Sequence, residues 1–454
     1  MITVGLATRD FTPRRPAMLH GQMHVRIAHE ARDSLLLTAI ALEGGPTPDQ
    51  RLLLISCDLL MIPASLWEGV RAKLRTALPE VPSDNILMAG THTHESLVID
   101  PQFYPHPGGD VMTAQEGLEW TIEHATAVAV EAWQRRGPHR FHFAFGHAVV
   151  GHNRRAVYAD GRSVMYGKTD RPDFRAIEGS EDHSLDMLFF WKPDGVLEAI
   201  ALAIPCPAQV DEGITQFSAD FWHEIRVDLR RRFGRHLTVI PLCGTAGDQS
   251  PHFLIYGREE AEMRRRRGLT EREEIAARVG DAVARALLCT HPSTDSIVFS
   301  HRVRRLLLPP RTITRPERDW AEQERTAALK RGMAADLWWP VRLQNVLEAF
   351  DQGRALPPEP AEIHAIRLGD LAVITNPFEL FLDYGFQIKA RSPATQTVVT
   401  QLVGQGFYLP TERAVAGGHY SAHPVVAPVG PEGGQRLVEE SLHLLASLFA
   451  PPTA

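Results

Sequence analysis

The chain has 454 residues, which at roughly 150 residues per domain allows about three domains or one large elaborated α/β unit. Hydrophobic residues make up 44% and charged residues 23%, a balance that excludes intrinsic disorder. Lys and Arg total 48 against 55 Asp and Glu, a formal net charge of −7, so no positive field exists to hold nucleic acid or an anionic membrane surface.

Short β-like runs alternate with helical stretches through the first 300 residues. Strands are expected at Leu35–Leu42, Arg51–Cys57, Asn85–Ala89, Phe141–Val150, Ser184–Trp191 and Leu237–Leu242. Helices are expected at Ala64–Leu78, Thr113–Gln134 and Ala219–Phe233. This alternation predicts an α/β fold class. From Tyr256 to Leu288 the pattern is a charged amphipathic helix with the basic cluster Arg264–Arg267, followed by the capping box Thr270-x-x-Glu273. No aromatics interleave with that cluster, so it reads as a solvated helix face. Residues 311–350 read as one or two helices, with Trp338-Trp339-Pro340 as a candidate break. Strands return at Glu362–Arg367, Leu371–Thr375 and Thr397–Leu402. Without repeats or linkers, residues 1–454 read as one unit carrying a helical insertion at about 310–360. The four cysteines, Cys57, Cys206, Cys243 and Cys289, are dispersed and form no C-x-x-C pair. With no signal segment and no apolar run of membrane-spanning length, a cytoplasmic protein is expected.

Three local patterns carry candidate chemistry. Gly90-Thr91-His92-Thr93-His94 directly follows a predicted strand. If the backbone stays extended, both imidazoles of this H-x-H point the same way and can reach one metal, or form a hydrogen-bonded pair at a loop mouth. Leu242–Pro251 places two glycines around small polar residues, permitting close backbone approach. Within it Asp248 is placed to orient a metal-ligating histidine, and the alternative is a plain strand-to-helix turn. Ser250 lacks a G-x-S-x-G elbow and reads poorly as a nucleophile. Glu379, among apolar neighbours in Asn376–Phe381, needs either a cation partner or a helix to cap.

Seven segments in order resemble the neutral/alkaline (non-lysosomal) ceramidase family of zinc-dependent amidases: Gly5–Pro13, Gly90–His94, Asn153-Arg154, Gly247-Asp248-x-Ser250-Pro251, Leu368-Gly369-Asp370, Glu379 and Tyr408–Glu412. The resemblance implies a large mixed α/β catalytic domain with sheets flanked by helices. It implies one metal ion, Zn²⁺ or another divalent metal, bound by His92, Glu379 and Tyr408. It further implies that His94, Arg154 and Tyr420 contact the scissile amide. The family's second ligand histidine falls where this chain has Ala203-Ile204-Pro205-Cys206-Pro207. Cys206 is therefore either a thiolate ligand or an inert buried thiol, with His223 as a substitute ligand. A divergent member without the family's appended immunoglobulin-like domain is expected, and the loop from Glu95 to Gly109 adds polar and aromatic groups near the expected pocket.

The expectation is a metal-dependent hydrolase that cleaves an amide of a small polar N-acyl compound rather than ceramide. An ester, lactone or glycosidic bond at the same site, and a metal-free binding protein with a decayed site, are the alternatives. Expected partners are a small-molecule substrate and a second copy of the chain in a homo-oligomer, with no nucleic acid and no membrane.

Overall fold

A computed structural model describes residues 2–291 and 297–450. Two β-sheets lie face to face, and helices cover both outer surfaces, giving four layers in the order α, β, β, α. The first sheet contains β1 (Ile2–Asp10), β2 (Leu36–Glu43), β3 (Arg51–Cys57), β4 (Ile86–Gly90), β5 (Gly137–His147), β6 (Ser184–Trp191), β7 (Leu197–Ile204) and β8 (Thr238–Cys243), in spatial order β8-β7-β6-β5-β1-β2-β3-β4. Its strands are antiparallel except for two parallel pairs, β3 with β4 and β7 with β8. The second sheet, β9 (Phe299–Leu308), β10 (Glu359–Leu368), β11 (Leu371–Thr375) and β12 (Gln396–Thr400), ends in a third parallel pair, β11 with β12.

The alternation of side chains along each strand explains the layering. In β6, Leu188 and Phe190 pack into the apolar layer between the sheets with Ile366, Leu368 and Val373. The alternate residues Leu185, Met187, Phe189 and Trp191 pack outward against helices. A strand covered on both faces is largely apolar, which is why Met187–Trp191 shows no polar alternation, while the buried Asp186 at its start is paired with Lys389 at 3.0 Å. Helices α1 (Ala64–Ala77) and α2 (Ala114–Gln134) cover one half of the large sheet. Helix α3 (Phe221–Phe233) lies between β7 and β8, α4 (Gly257–Arg267) and α5 (Glu271–Leu287) follow β8, and α3 and α5 cover the other half. The smaller sheet is covered by α6 (Arg315–Lys330), α7 (Trp338–Asp351), α8 (Leu382–Arg391) and the C-terminal helix Pro431–Phe449.

The Tyr256–Leu288 stretch is thus two helices, and the second starts at the expected box: Thr270 Oγ1 accepts from Glu273 N while Glu273 bonds back to Thr270. Residues 311–350 also form two helices. Trp338-Trp339-Pro340 does not break one of them but opens the second, where Pro340 lies in the first turn and its missing N–H costs no helical bond. All four cysteines are free, and only Cys289 is exposed. Among the described residues no helix is long and apolar enough to cross a membrane.

Candidate active site

A cavity of about 330 Å³ opens where the carboxyl ends of the three parallel strand pairs meet, lined by the loops that leave those strands. Loops leaving the carboxyl ends of parallel strands share one rim, so side chains distant in sequence converge there. The buried Gln401 ties three of these loops together. Its Oε1 accepts from Ala246 N and Leu380 N, each at 3.0 Å, and its own N–H donates to the Cys243 carbonyl at 3.0 Å. At Gly247 a Cβ would come within 2.3 Å of the Glu379 carbonyl oxygen, so only glycine lets the two loops touch.

The His92 segment is held against the loop after β3 by Thr91 N to Cys57 O at 2.9 Å and His92 N to Leu59 O at 3.0 Å. The backbone here is not extended as the H-x-H spacing predicts, because His92 has φ of 63°, in the left-handed region. The turn still brings the His92 and His94 rings together edge to face at 5.1 Å. His92 Nδ1–H donates to the Leu60 carbonyl at 2.9 Å, which leaves Nε2 as a lone pair 3.5 Å from Glu379 Oε2. Burial pushes the His92 imidazole below its ordinary pKa despite the Glu379 carboxylate, and this disfavours a second ring proton.

Glu379 does not cap the following helix. It lies in a two-residue strand paired in parallel with Tyr408-Leu409, with Glu379 opposite Tyr408. Arg154 Nη2 donates to the Tyr408 hydroxyl oxygen at 3.2 Å and to the Gly247 carbonyl at 2.9 Å. Burial by itself would weaken the positive charge of Arg154, but the neighbouring Tyr408, Tyr166 and Glu379 prevail and hold it well above its ordinary pKa. Burial and the Glu379 carboxylate raise the Tyr408 phenol well above its usual range. Tyr420 joins from a short helical turn, its ring 5.8 Å from that of Tyr408, and burial raises its phenol as well. His94 is half-buried, and neither of its ring nitrogens has a hydrogen-bond partner; Nδ1 lies 3.4 Å from Glu212 Oε2 without hydrogen-bond alignment.

Of the expected residues, His92, His94, Arg154, Glu379, Tyr408 and Tyr420 all line the one cavity. Asp248 and Cys206 do not. Asp248 orients no histidine: Oδ2 accepts from Asn153 Nδ2 at 2.9 Å and Oδ1 from Leu382 N at 3.0 Å, so it braces the segments on either side of Arg154 and Glu379. Burial pushes its carboxyl up to about 6. Cys206 is fully buried in the apolar layer under α3 and α5, its Sγ nearest the Pro207 carbonyl at 3.4 Å. Burial raises that thiol well above its ordinary pKa. His223, half-buried in the first turn of α3, stays outside the cavity as well.

The donors that converge are therefore His92 Nε2, the Glu379 carboxylate and the Tyr408 oxygen. Among the described residues no group of three His, Cys, Asp or Glu side chains is placed to hold a metal, so a cation here depends on the phenol. An imidazole lone pair facing a carboxylate oxygen is repulsive unless a proton or a metal cation lies between them, and burial of His92 disfavours the proton. The set thus fits a three-ligand catalytic site for Zn²⁺ rather than the four-ligand set that the resemblance implies. The Nδ1–H bond to the Leu60 carbonyl is the kind of contact that orients a ligating imidazole.

Several lining residues carry no signal in the sequence. His20, Tyr166, Gln209 and Glu212 all face the cavity. Tyr166 donates to Ser250 Oγ at 3.1 Å and accepts from Gln209 Nε2 at 2.6 Å. Arg26 is buried and donates to the His20 carbonyl at 2.7 Å and to the His94 carbonyl, fixing both histidine-bearing loops. The loop after His94 supplies Phe103 and Tyr104, the aromatic groups expected of it.

No family model and no curated protein sequence matches the chain. Among solved structures, the neutral ceramidase from Pseudomonas aeruginosa is similar over 100% of this chain and 76% of its own, with a TM-score of 0.70 and 16% identity. A ceramidase complexed with C2 matches with a TM-score of 0.68 and 15% identity over 100% of this chain and 76% of its own. The fold is therefore that of the neutral ceramidases, as the sequence resemblance implies.

Proposed function

We propose that the protein is an amide-bond hydrolase. The observation that carries this reading is the convergence of His92, Glu379 and Tyr408 with Arg154, Tyr420 and His94 on a single cavity, within the fold of two ceramidases.

His92, Glu379 and Tyr408 are the residues that would hold a divalent cation. The chemistry such an ion supplies when bound is polarisation of a carbonyl and activation of water at neutral pH. Arg154 has N–H groups beyond those given to Tyr408, Gly247 and Tyr166, Nε among them, and with the Tyr420 hydroxyl it provides donors for the oxygen on which charge develops, typically about 3 kcal/mol each. His94, with ring nitrogens free of partners, takes the proton of the attacking water and delivers it to the leaving nitrogen. The water oxygen bonds to the carbonyl carbon as the C–N bond breaks, leaving a carboxylic acid and an amine. Phe103, Tyr104 and Trp338 give the cavity an aromatic wall.

A cavity of about 330 Å³ is at the small end for ligand sites and favours a small N-acyl compound over one with two long chains. The test is to purify wild type, His92→Ala and Tyr408→Phe in zinc-containing buffer, then measure bound metal and turnover of a panel of short N-acyl amides. Both variants should lose metal and turnover together, with folding intact by circular dichroism. Full turnover by metal-free His92→Ala would sink the mechanism.

A further inference from the structure

The cavity adjoins a second, larger concavity of about 670 Å³, and Tyr104 and Trp338 line both. Five prolines, at 101, 105, 357, 424 and 428, stiffen its walls. A rigid wall loses little entropy when a ligand enters. Arg342, from α7, stands between the two spaces. It lines the larger one, and its guanidinium lies 3.8 Å from the centre of the Phe407 ring, which lines the smaller one.

The guanidinium of Arg342 is under-used. It carries five N–H donors, and the Val425 carbonyl engages one of them at 3.3 Å. Among the described residues Arg342 forms no ion pair, and burial lowers its pKa against partial pulls from Glu359, Tyr420 and Asp100. Glu359 lines the same groove without touching Arg342, and burial raises its pKa. A half-buried arginine stacked on an aromatic ring, with its fork left open, is built to receive a planar anion.

We propose that this groove is the subsite for the second part of the substrate, and that Arg342 receives a carboxylate there. The inference rests on the amidase reading and names its substrate class: an N-acyl compound with a carboxylate beyond the scissile amide, reaching past Tyr104 and Trp338. Glu359 sets the charge that is tolerated. It repels a phosphate dianion more strongly than a single carboxylate, so the groove selects the carboxylate.

The experiment measures binding by calorimetry to the full chain, independently of turnover. The probes are N-benzoylglycine and N-phenylglutaramic acid, which carry the carboxylate on opposite sides of the amide, the neutral carboxamide of each, and phenyl phosphate. Wild type should bind at least one carboxylate probe more than tenfold tighter than its neutral partner and tighter than phenyl phosphate. Arg342→Gln should erase that preference while leaving neutral binding unchanged, Arg342→Lys should keep part of it, and Glu359→Gln should tighten carboxylate binding about threefold. Equal binding of charged and neutral probes by wild type, or equal weakening of both by Arg342→Gln, overturns the subsite. Arg342-dependent binding without hydrolysis of any bound probe counts against the amidase reading alone and leaves the subsite standing.

Discussion

Gly21 lies against the ring of His94 so closely that a Cβ on it would come within 2.6 Å of the imidazole Cγ. Its φ of 99° also lies where L side chains are strained. Gly21→Ala should therefore displace the imidazole by a fraction of an ångström to an ångström and cut kcat about 100-fold, with a stability loss of about 1–2 kcal/mol. Parallel measurements of kcat and urea denaturation check this. Unchanged kcat would show that His94 takes no part in proton transfer.

Arg154 is buried and joins the strand pair beside Asp248 to the Tyr408 oxygen. Arg154→Ala should lower kcat about 100- to 1,000-fold by removing oxyanion donors. Arg154→Lys keeps the charge but not the fork, and should recover only a small part of that rate. Steady-state kinetics of both variants on one amide substrate decide the matter. Equal loss of kcat and gain of KM across the two would point to a packing role only.

Asp58 and Arg226 form a buried bidentate pair at 2.8 and 3.0 Å, and Asp58 also accepts from Leu36 N at 2.8 Å. The pair pins α3 to the end of β3, just before the loop that holds His92. Asp58→Ala leaves a buried guanidinium unpaired and should cost about 3–5 kcal/mol. Chemical denaturation measures it, and a loss below about 1 kcal/mol would contradict the assignment.

His301 and His423 are buried, and burial lowers both imidazoles to about 3, with His364 and His419 respectively adding to the effect. Unfolded imidazoles titrate near 6.5, so between about 6.5 and about 3 the unfolded chain binds more protons. Stability is therefore lost as pH falls through that window, by about 2 kcal/mol per histidine between pH 7 and pH 5. His423 stacks on Trp320 at 3.6 Å and accepts from His419 N through Nε2. His423→Gln keeps the acceptor without the titration, so the pH 7 to pH 5 drop should shrink by about 2 kcal/mol. Equal stability of wild type at the two pH values would refute the assignment.

The parts of the site that could be read in the sequence are those whose neighbours carry the signal. His92 and His94 share one short motif after an apolar strand, and Glu379 sits in an apolar run where a carboxylate needs a reason. Tyr408, Arg154 and Tyr420 have no such local mark and were legible only through family resemblance. Glu212 and Gln209 lie in an irregular run between β7 and α3 with no hydrophobic period, so nothing local shows that they turn toward His94. Cys206 illustrates the opposite failure: its chain position matches a ligand, but its side chain is packed under α3 and α5. Side-chain direction after a strand end depends on tertiary packing, which spacing alone does not encode. The fold was more legible, because period-2 and period-3.6 patterns are local. Even so, the helix Pro431–Phe449 is absent from the sequence expectations, although Pro431 opens it and Leu437, Val438, Leu442, Leu445 and Leu448 mark its buried stripe.

The bond from Arg154 to Tyr408 spans 254 residues of chain, and it lies where strands of two different sheets end. Contacts of such sequence separation form only after the loop-closure entropy of more than half the chain has been overcome. The cavity is thus among the last features to appear on refolding, and recovery of catalytic turnover should lag recovery of helical and sheet signals. No fragment that ends before Tyr408 contains an incomplete but working version of it: the chemistry and the finished fold arrive together.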